Sequence, residues 1–130
     1  MACVLIVDDD EGIRETVRFL LEDAGYEVTE AKDGAACLDI LRTSADPLVV
    51  LLDYRMPRMD GGEVLRAAAE DGLATRHAFA MMLASPYLLD HDSSGQIQVS
   101  RFHIPIVAKP FDIDSLLVLV ASLSAQLQLA

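Results

Sequence analysis

The chain has 130 residues, enough for a single domain with one hydrophobic core and too few for two. Hydrophobic residues make up 52% and charged residues 24%, a composition that excludes a disordered chain. Acidic residues outnumber basic ones by 21 to 10, and the net charge of -11 argues against nucleic acid or an anionic membrane as a direct partner, because both attract basic surfaces.

The cysteines and the apolar stretches bear on the compartment. Cys3 and Cys37 form no CxxC pair and no cluster with histidine, so we expect neither a disulfide framework nor a structural zinc site. No signal segment is recognisable at the start, and residues 115–130 are too short and too rich in Ser and Gln for a membrane span. We therefore expect a reducing, cytoplasmic location.

Apolar runs and helical stripes alternate along the first half of the chain. Residues 3–7 form a short apolar run closed by acids, typical of a strand buried on both faces. Residues 13–24 carry an apolar stripe at helical spacing. A weaker strand at 26–31 and a helix at 35–42 follow, and the very apolar run at 48–52 predicts a central strand.

The second half continues this alternation. Asp60 and Glu63 have the spacing of a capping box at the start of a third helix. Residues 79–83 and 104–108 predict two further strands, and Asp112 can cap a last helix that runs to about residue 128. Residues 85–103 show no helical stripe, so we expect a short or irregular element where a fourth helix belongs.

Strands that alternate with helices predict an α/β fold, a doubly wound five-stranded parallel sheet with helices on both faces. In the strand order 2-1-3-4-5, the first and third strands are neighbours and the chain order reverses between them. Ligands bind in such folds at the carboxyl ends of those two strands.

Acidic residues follow both of those strands. Asp8 and Asp9 end the first strand and Asp53 ends the third, so three carboxylates would share one crevice. Two bare charges about 4 Å apart repel by about 4 kcal/mol at an effective dielectric of ~20. A divalent cation would compensate, and Mg²⁺ is the natural choice because it prefers oxygen ligands.

Lys109 ends the fifth strand at the same edge of the sheet. A metal cation and an ammonium around a carboxylate suit a transferred phosphoryl group, whose charge is spread over its oxygens. An Asp after a strand is often only a helix cap or turn residue, and that interpretation would be favoured for any one acid alone. The three acids together with Lys109 favour a site.

These residues also resemble a known family, the receiver (REC) domains of two-component response regulators. The resemblance covers nearly the whole chain and rests on three motifs: VLIVDDD at 4–10, LLDYRMPRMDG at 51–61 and KPF at 109–111. It implies a flavodoxin-like fold and a role in phosphorelay signal transduction.

The resemblance implies a role for each matching residue. Asp53 would be the phosphoacceptor. Asp8 and Asp9 would be the acidic pair that positions Mg²⁺, with Asp9 the more direct ligand. Asp53 itself and the backbone carbonyl of Arg55 would supply further metal oxygens, and Lys109 would pair with a phosphoryl oxygen.

The sequence departs from the family pattern at the switch residues. The family usually has Thr or Ser at the end of the fourth strand. Here Ala84 stands in that position, or the hydroxyl comes one place late, at Ser85. Ile106 stands three residues before the lysine, where Tyr or Phe is usual. We therefore expect that phosphate chemistry can survive without its usual readout.

The resemblance implies a single-domain response regulator, residues 1–130, that accepts a phosphoryl group from a sensor histidine kinase or a histidine phosphotransfer protein. We expect a phosphoacceptor signalling domain rather than an enzyme, with self-phosphorylation and autodephosphorylation at most. The alternative is a degenerate receiver that acts as a phosphorylation-independent interaction module, although a scaffold has no need of the retained acids and lysine.

Two other classes are disfavoured. A phosphatase with an aspartyl nucleophile usually has a second acid two residues later, where this chain has Arg55. A flavin-binding flavodoxin would need a Ser-, Thr- or Gly-rich phosphate loop after the first strand.

The last helix predicts a contact surface. Residues 115–130 contain no charged residue, and the apolar run at 116–120 cannot all face the sheet, since successive helical residues turn by about 100°. A helix covered by neighbours on all sides would explain this composition equally well. Our alternative hypothesis is a homodimer or partner contact formed by this helix and residues 86–103. His77, beside a strand start, has no assigned role.

Overall fold

The computed structural model describes residues 3–84 and 98–129. Within these ranges, five strands form one parallel sheet in the order β2-β1-β3-β4-β5. The strands are β1 (Cys3–Val7), β2 (Glu27–Ala31), β3 (Leu48–Asp53), β4 (Ala78–Leu83) and β5 (Ile106–Ala108). The predicted fold class and strand order are confirmed.

In the described part of the chain, these helices surround the sheet: α1 (Glu11–Asp23), α2 (Gly34–Thr43), α3 (Gly61–Glu70), α4 (Leu73–Arg76) and α5 (Ile113–Leu129). The single turn α4 was not predicted, and β5 begins at Ile106 rather than at residue 104. Residues 98–101 form one further helical turn, and residues 85–97 lie outside the described residues. Among the described helices, none has the length and apolarity that a membrane crossing requires.

Aspartates begin the helices that follow the first three strands. The Asp10 side chain accepts a hydrogen bond from the Ile13 N–H, and Asp33 accepts one from the Ala36 N–H. Asp60 and Glu63 form the predicted capping box. Each cap satisfies a backbone donor that the first helical turn leaves free. These caps fix the loops at the carboxyl edge of the sheet.

The sheet separates two hydrophobic cores because the side chains of each strand alternate between its faces. One core joins strand residues such as Leu5 to Leu41 and Leu65 of α2 and α3. The other joins Ile6 and its neighbours to the inner faces of α1 and α5. Burial of each such side chain contributes about 1.5–3 kcal/mol. The central strands therefore provide a rigid support for residues at their ends.

His77 has a structural role that the sequence did not indicate. The residue is 3% exposed, its Nδ1 accepts from the Leu48 N–H at 2.9 Å, and its Nε2 lies 3.1 Å from the Leu41 carbonyl oxygen. One ring nitrogen must accept and the other donate, so this pair of contacts requires neutral imidazole. Burial lowers the pKa of His77, which favours that form.

Candidate functional site

The register of the sheet brings Asp8 and Asp53 side by side. Val7 pairs with Leu52 in the parallel β1–β3 ladder, so the next residue of each strand lies at the same level. The Asp8 N–H donates to the Ala31 carbonyl of β2, which extends the ladder to this residue. The two carboxylates therefore leave from neighbouring backbones at the carboxyl edge.

Three carboxylates converge at this edge. Oxygen atoms of Asp8, Asp9 and Asp53 lie within 4.8 Å of one another. Asp8 is 1% exposed and Asp53 is 6% exposed, whereas Asp9 is open to solvent. Three oxygen donors of this kind, with one open side, fit a hard divalent cation such as Mg²⁺. Arg55 follows in the loop with its side chain exposed, and its role as a metal ligand stays a prediction.

Lys109 contacts two of the three acids. Its Nζ lies 2.7 Å from Asp8 Oδ2 and 3.0 Å from Asp53 Oδ1. The Lys109 backbone N–H donates to the Leu83 carbonyl at 2.8 Å, which ties the residue to the end of β4. The sheet therefore brings Asp8, Asp9, Asp53 and Lys109 together from distant parts of the chain.

The charges at the site oppose burial and offset one another. Burial raises the pKa of Asp53, the hydrogen bond from Lys109 works against this rise, and the charge of Asp8 adds to it. Burial of the Lys109 ammonium disfavours its charged form, but the bonds to Asp8 and Asp53 outweigh this and raise its pKa. The single ammonium thus compensates the carboxylates only in part, and the net negative charge favours a bound cation.

The loop after Asp53 is held by a close approach of α3. The Tyr54 N–H donates to the Met82 carbonyl at 2.9 Å, and the Gly61 N–H donates to the Tyr54 carbonyl at 2.7 Å. A Cβ on Gly61 would lie 2.9 Å from both the Asp53 carbonyl oxygen and the Tyr54 Cα. Glycine at the start of α3 therefore allows this helix to approach closely, so that Tyr54, the residue after Asp53, bonds both to β4 and to α3.

The described switch residues carry no hydroxyl or aromatic group. Ala84 lies directly after β4 and is exposed, and Ile106 begins β5 with 42% of its surface exposed. Ser85, the other candidate, lies outside the described residues. A methyl group at Ala84 cannot donate a hydrogen bond to a phosphoryl oxygen, so a readout through this position would need another donor.

Sequence reasoning missed Arg14, whose Nη1 donates to the Asp8 carbonyl oxygen at 2.6 Å. No motif indicated this contact. The only signal is a basic residue among acids in the first turns of the helix that follows Asp8 and Asp9.

The family model of the response regulator receiver domain matches residues 4–121. The chain belongs to this family, as the three motifs predict. Response regulator MprA of Mycobacterium sp. (strain KMS) is 44% identical over 69 residues, which cover 53% of this chain and 30% of that protein. Because the match spans less than a third of that relative, the single-domain expectation stays a prediction.

Two solved structures show the same fold along nearly the whole chain. A CheY-like receiver domain protein from Methanospirillum hungatei JF-1 is 30% identical with a TM-score of 0.87, covering 99% of this chain and 98% of that one. The chemotaxis response regulator CheY4 of Vibrio cholerae is 28% identical with a TM-score of 0.77, covering 95% and 98%.

Proposed function

We propose that this receiver domain accepts a phosphoryl group on Asp53 in a Mg²⁺-dependent reaction and signals or relays it through protein contacts. One observation carries the proposal: the buried Asp53 carboxylate lies 3.0 Å from the Lys109 ammonium and within 4.8 Å of the acids Asp8 and Asp9. A scaffold has no use for this arrangement, since gathering three carboxylates costs folding free energy. A phosphoacceptor site needs both the nucleophile and the compensating charges.

The donor is a phosphohistidine on a sensor histidine kinase or a histidine phosphotransfer protein. An oxygen of Asp53 forms the new O–P bond while the P–N bond to the histidine breaks, and the imidazole leaves and takes up a proton. Lys109 balances charge on a phosphoryl oxygen. Asp8, Asp9 and Asp53 would hold a Mg²⁺ ion, which would supply further positive charge during the transfer. The chain contributes positioning and electrostatics.

Water resets the domain by hydrolysing the acyl phosphate, which returns the Asp53 carboxylate and releases inorganic phosphate. The chain is thus its own substrate and acts as a signalling domain rather than an enzyme with an external substrate. We place the reaction in the cytoplasm, because Cys3 and Cys37 are free thiols and a reducing compartment keeps them so.

The contact surface that we propose for output or self-association lies on α5. This helix buries Leu116, Val120 and Leu123 against the sheet, each at most 3% exposed, and leaves Val118 71% exposed. From residue 115 onward this helix carries no charged residue, and such a surface with an exposed apolar residue fits a homodimer or partner contact better than an open solvent face. The part of this hypothesis that rests on residues 86–97 lies outside the described residues.

The altered switch favours one second candidate. With Ala84 in place of a hydroxyl residue and Ile106 in place of an aromatic one, the domain could bind a partner regardless of phosphorylation. This interaction module predicts equal partner affinity before and after phosphorylation. The phosphoacceptor proposal predicts a difference.

Labelling with acetyl phosphate tests the proposal. We expect the intact protein to gain the mass of one phosphoryl group in the presence of Mg²⁺, and to gain none when EDTA removes the metal. The Asp53→Ala variant should gain none, whereas Asp39→Ala, a matched change at an exposed helical acid, should label like the wild type. Equal labelling of wild type and Asp53→Ala would refute the assignment.

A further inference from the structure

Arg14 links the backbone of Asp8, in the β1–α1 turn, to Glu30 of strand β2. Its Nη1 donates to the Asp8 carbonyl oxygen at 2.6 Å, and its Nε donates to Glu30 Oε1 at 3.1 Å. The Arg14 side chain is 14% exposed. The planar guanidinium thus bridges two partners that belong to neighbouring strands.

The bond to the Asp8 carbonyl acts on Asp9. That carbonyl belongs to the peptide unit that joins Asp8 to Asp9. Because the peptide unit is planar, a hydrogen bond that holds its oxygen also fixes the orientation of the Asp9 backbone. The Asp8 carboxylate is already held by the Asp10 N–H at 2.9 Å and by Lys109. Asp9 is exposed, so its position depends more heavily on the backbone.

Glu30 anchors the guanidinium. It lies opposite Ile6 in the β1–β2 ladder and also accepts from Arg18 Nη1 at 2.7 Å. Hydrogen bonds from Arg18 and then Arg14 lower the pKa of Glu30 in spite of its partial burial. Glu30 is therefore an ionised partner that keeps Arg14 over the turn at neutral pH.

We propose that Arg14, held by Glu30, is a positioning residue that fixes the spacing of Asp8 and Asp9 for a divalent cation. The inference rests on the proposed function for the purpose of that spacing. Its test reads cation binding directly, in unphosphorylated protein.

A positioning role and a purely electrostatic role predict opposite effects of removing Arg14 on the affinity for a divalent cation. Arg14 is a cation close to a site for another cation, so removing its charge should tighten divalent-ion binding. Positioning predicts weaker binding, because loss of groups that orient metal ligands typically costs 10- to 100-fold in affinity. The sign of the change therefore separates the two effects.

Isothermal titration with Mn²⁺ measures this sign. We expect Arg14→Met to weaken Mn²⁺ binding by roughly tenfold. Arg18→Met, which loses the same charge and the same Glu30 partner but no bond to Asp8, should bind as tightly as wild type or more tightly. Arg14→Lys keeps the charge without the planar fork, so its affinity should lie between wild type and Arg14→Met.

Arg14→Met that binds Mn²⁺ as tightly as wild type, or Arg18→Met that weakens it equally, would overturn the inference. If thermal unfolding shows that Arg14→Met is not folded, Mn²⁺ binding by Glu30→Gln provides a second test. It keeps Arg14 but removes its ionised anchor. Because loss of a negative charge alone also weakens cation binding, the control is Glu27→Gln, at another acid of β2 that does not bond to Arg14. The positioning role predicts a larger loss of Mn²⁺ affinity for Glu30→Gln, and an equal loss in the two variants would overturn the inference.

These outcomes are distinct from failure of the proposed function. Weaker Mn²⁺ binding by Arg14→Met in a protein that acetyl phosphate never labels would support the positioning role and refute phosphoacceptance. Normal labelling with no effect of Arg14→Met on Mn²⁺ affinity would refute the positioning role alone.

Discussion

Replacing Lys109 with methionine removes an ammonium from two buried carboxylates and keeps most of its apolar stem. The Nζ to oxygen distances are 2.7 Å to Asp8 and 3.0 Å to Asp53. At an effective dielectric of ~20, each contact has a Coulomb energy of about 5–6 kcal/mol. Desolvation cancels much of this, and removing one partner of a buried pair costs about 3–5 kcal/mol. Because the Lys109 side chain is 17% exposed, we expect a loss at the lower end of this range, about 3 kcal/mol.

Urea unfolding followed by circular dichroism at pH 7 measures this loss. The matched control is Lys32→Met, the same change at the other lysine of the chain, which is exposed, and we expect it to stay within about 0.5 kcal/mol of wild type. Saturating Mg²⁺ should restore part of the stability of Lys109→Met, because a cation can compensate the carboxylates in place of the ammonium.

Acid should also reduce the difference between Lys109→Met and wild type. Burial raises the pKa of Asp53, so protonation removes the unpaired charge as pH falls through that raised value. A Lys109→Met variant that is as stable as Lys32→Met at pH 7 would refute the account of the site as a charge-compensated carboxylate cluster. A variant whose stability does not change when Mg²⁺ is added would refute it as well.

Four further predictions test other parts of the structure. Because burial raises the pKa of Asp53, the ionised carboxylate lowers the free energy of unfolding above that pKa. In urea at pH 7 without Mg²⁺, Asp53→Asn should therefore be at least as stable as wild type, and a loss of more than about 1 kcal/mol would contradict this. Burial lowers the pKa of His77, so its stabilisation is complete above the unfolded pKa of ~6.5 and is lost as pH falls below it. Lowering the pH from 7 to ~5 should thus reduce the melting temperature of wild type more than that of His77→Gln, and an equal reduction in both would count against the neutral ring. Gly61→Ala places a Cβ 2.9 Å from the Asp53 carbonyl oxygen and should cost about 1–3 kcal/mol and slow acetyl phosphate labelling. Gly12→Ala, on the exposed face of α1, places a Cβ 3.2 Å from the Asp10 side-chain oxygen rather than against backbone, and should change stability by no more than about 1 kcal/mol. Equal unfolding of the two variants would contradict the close approach at Gly61. Val118→Asp should change stability by no more than about 0.5 kcal/mol and weaken concentration-dependent association in sedimentation, whereas a wild type that is monomeric at every concentration and gains no partner-dependent protection of α5 would refute the contact surface.

The parallel sheet was predictable because most of its strands are short apolar runs that end in acids or turn residues. Residues 48–52 predict a buried strand, and the structure has one at Leu48–Asp53. The convergence of Asp8, Asp53 and Lys109 followed from the rule that parallel strands end at one edge. Local pattern and topology together thus located the candidate site.

Features that depend on contacts between distant parts of the chain could not be predicted in the same way. His77 bonds to the backbones of Leu48 and Leu41, which lie in other elements, and nothing in its sequence neighbours indicates this.

The late start of β5 has a local cause, because Pro105 has no N–H to donate to the ladder. The α4 turn is too short to show a helical period.

The central claim is that Asp53 accepts a phosphoryl group in a reaction that requires a divalent cation. Fragment mass spectrometry of the wild-type protein after acetyl phosphate treatment, with Mg²⁺ and with EDTA, tests it most directly. The account predicts one phosphoryl group, located on Asp53 and present only with Mg²⁺. A phosphoryl group on another residue, or equal labelling of Asp53 in EDTA, would contradict it.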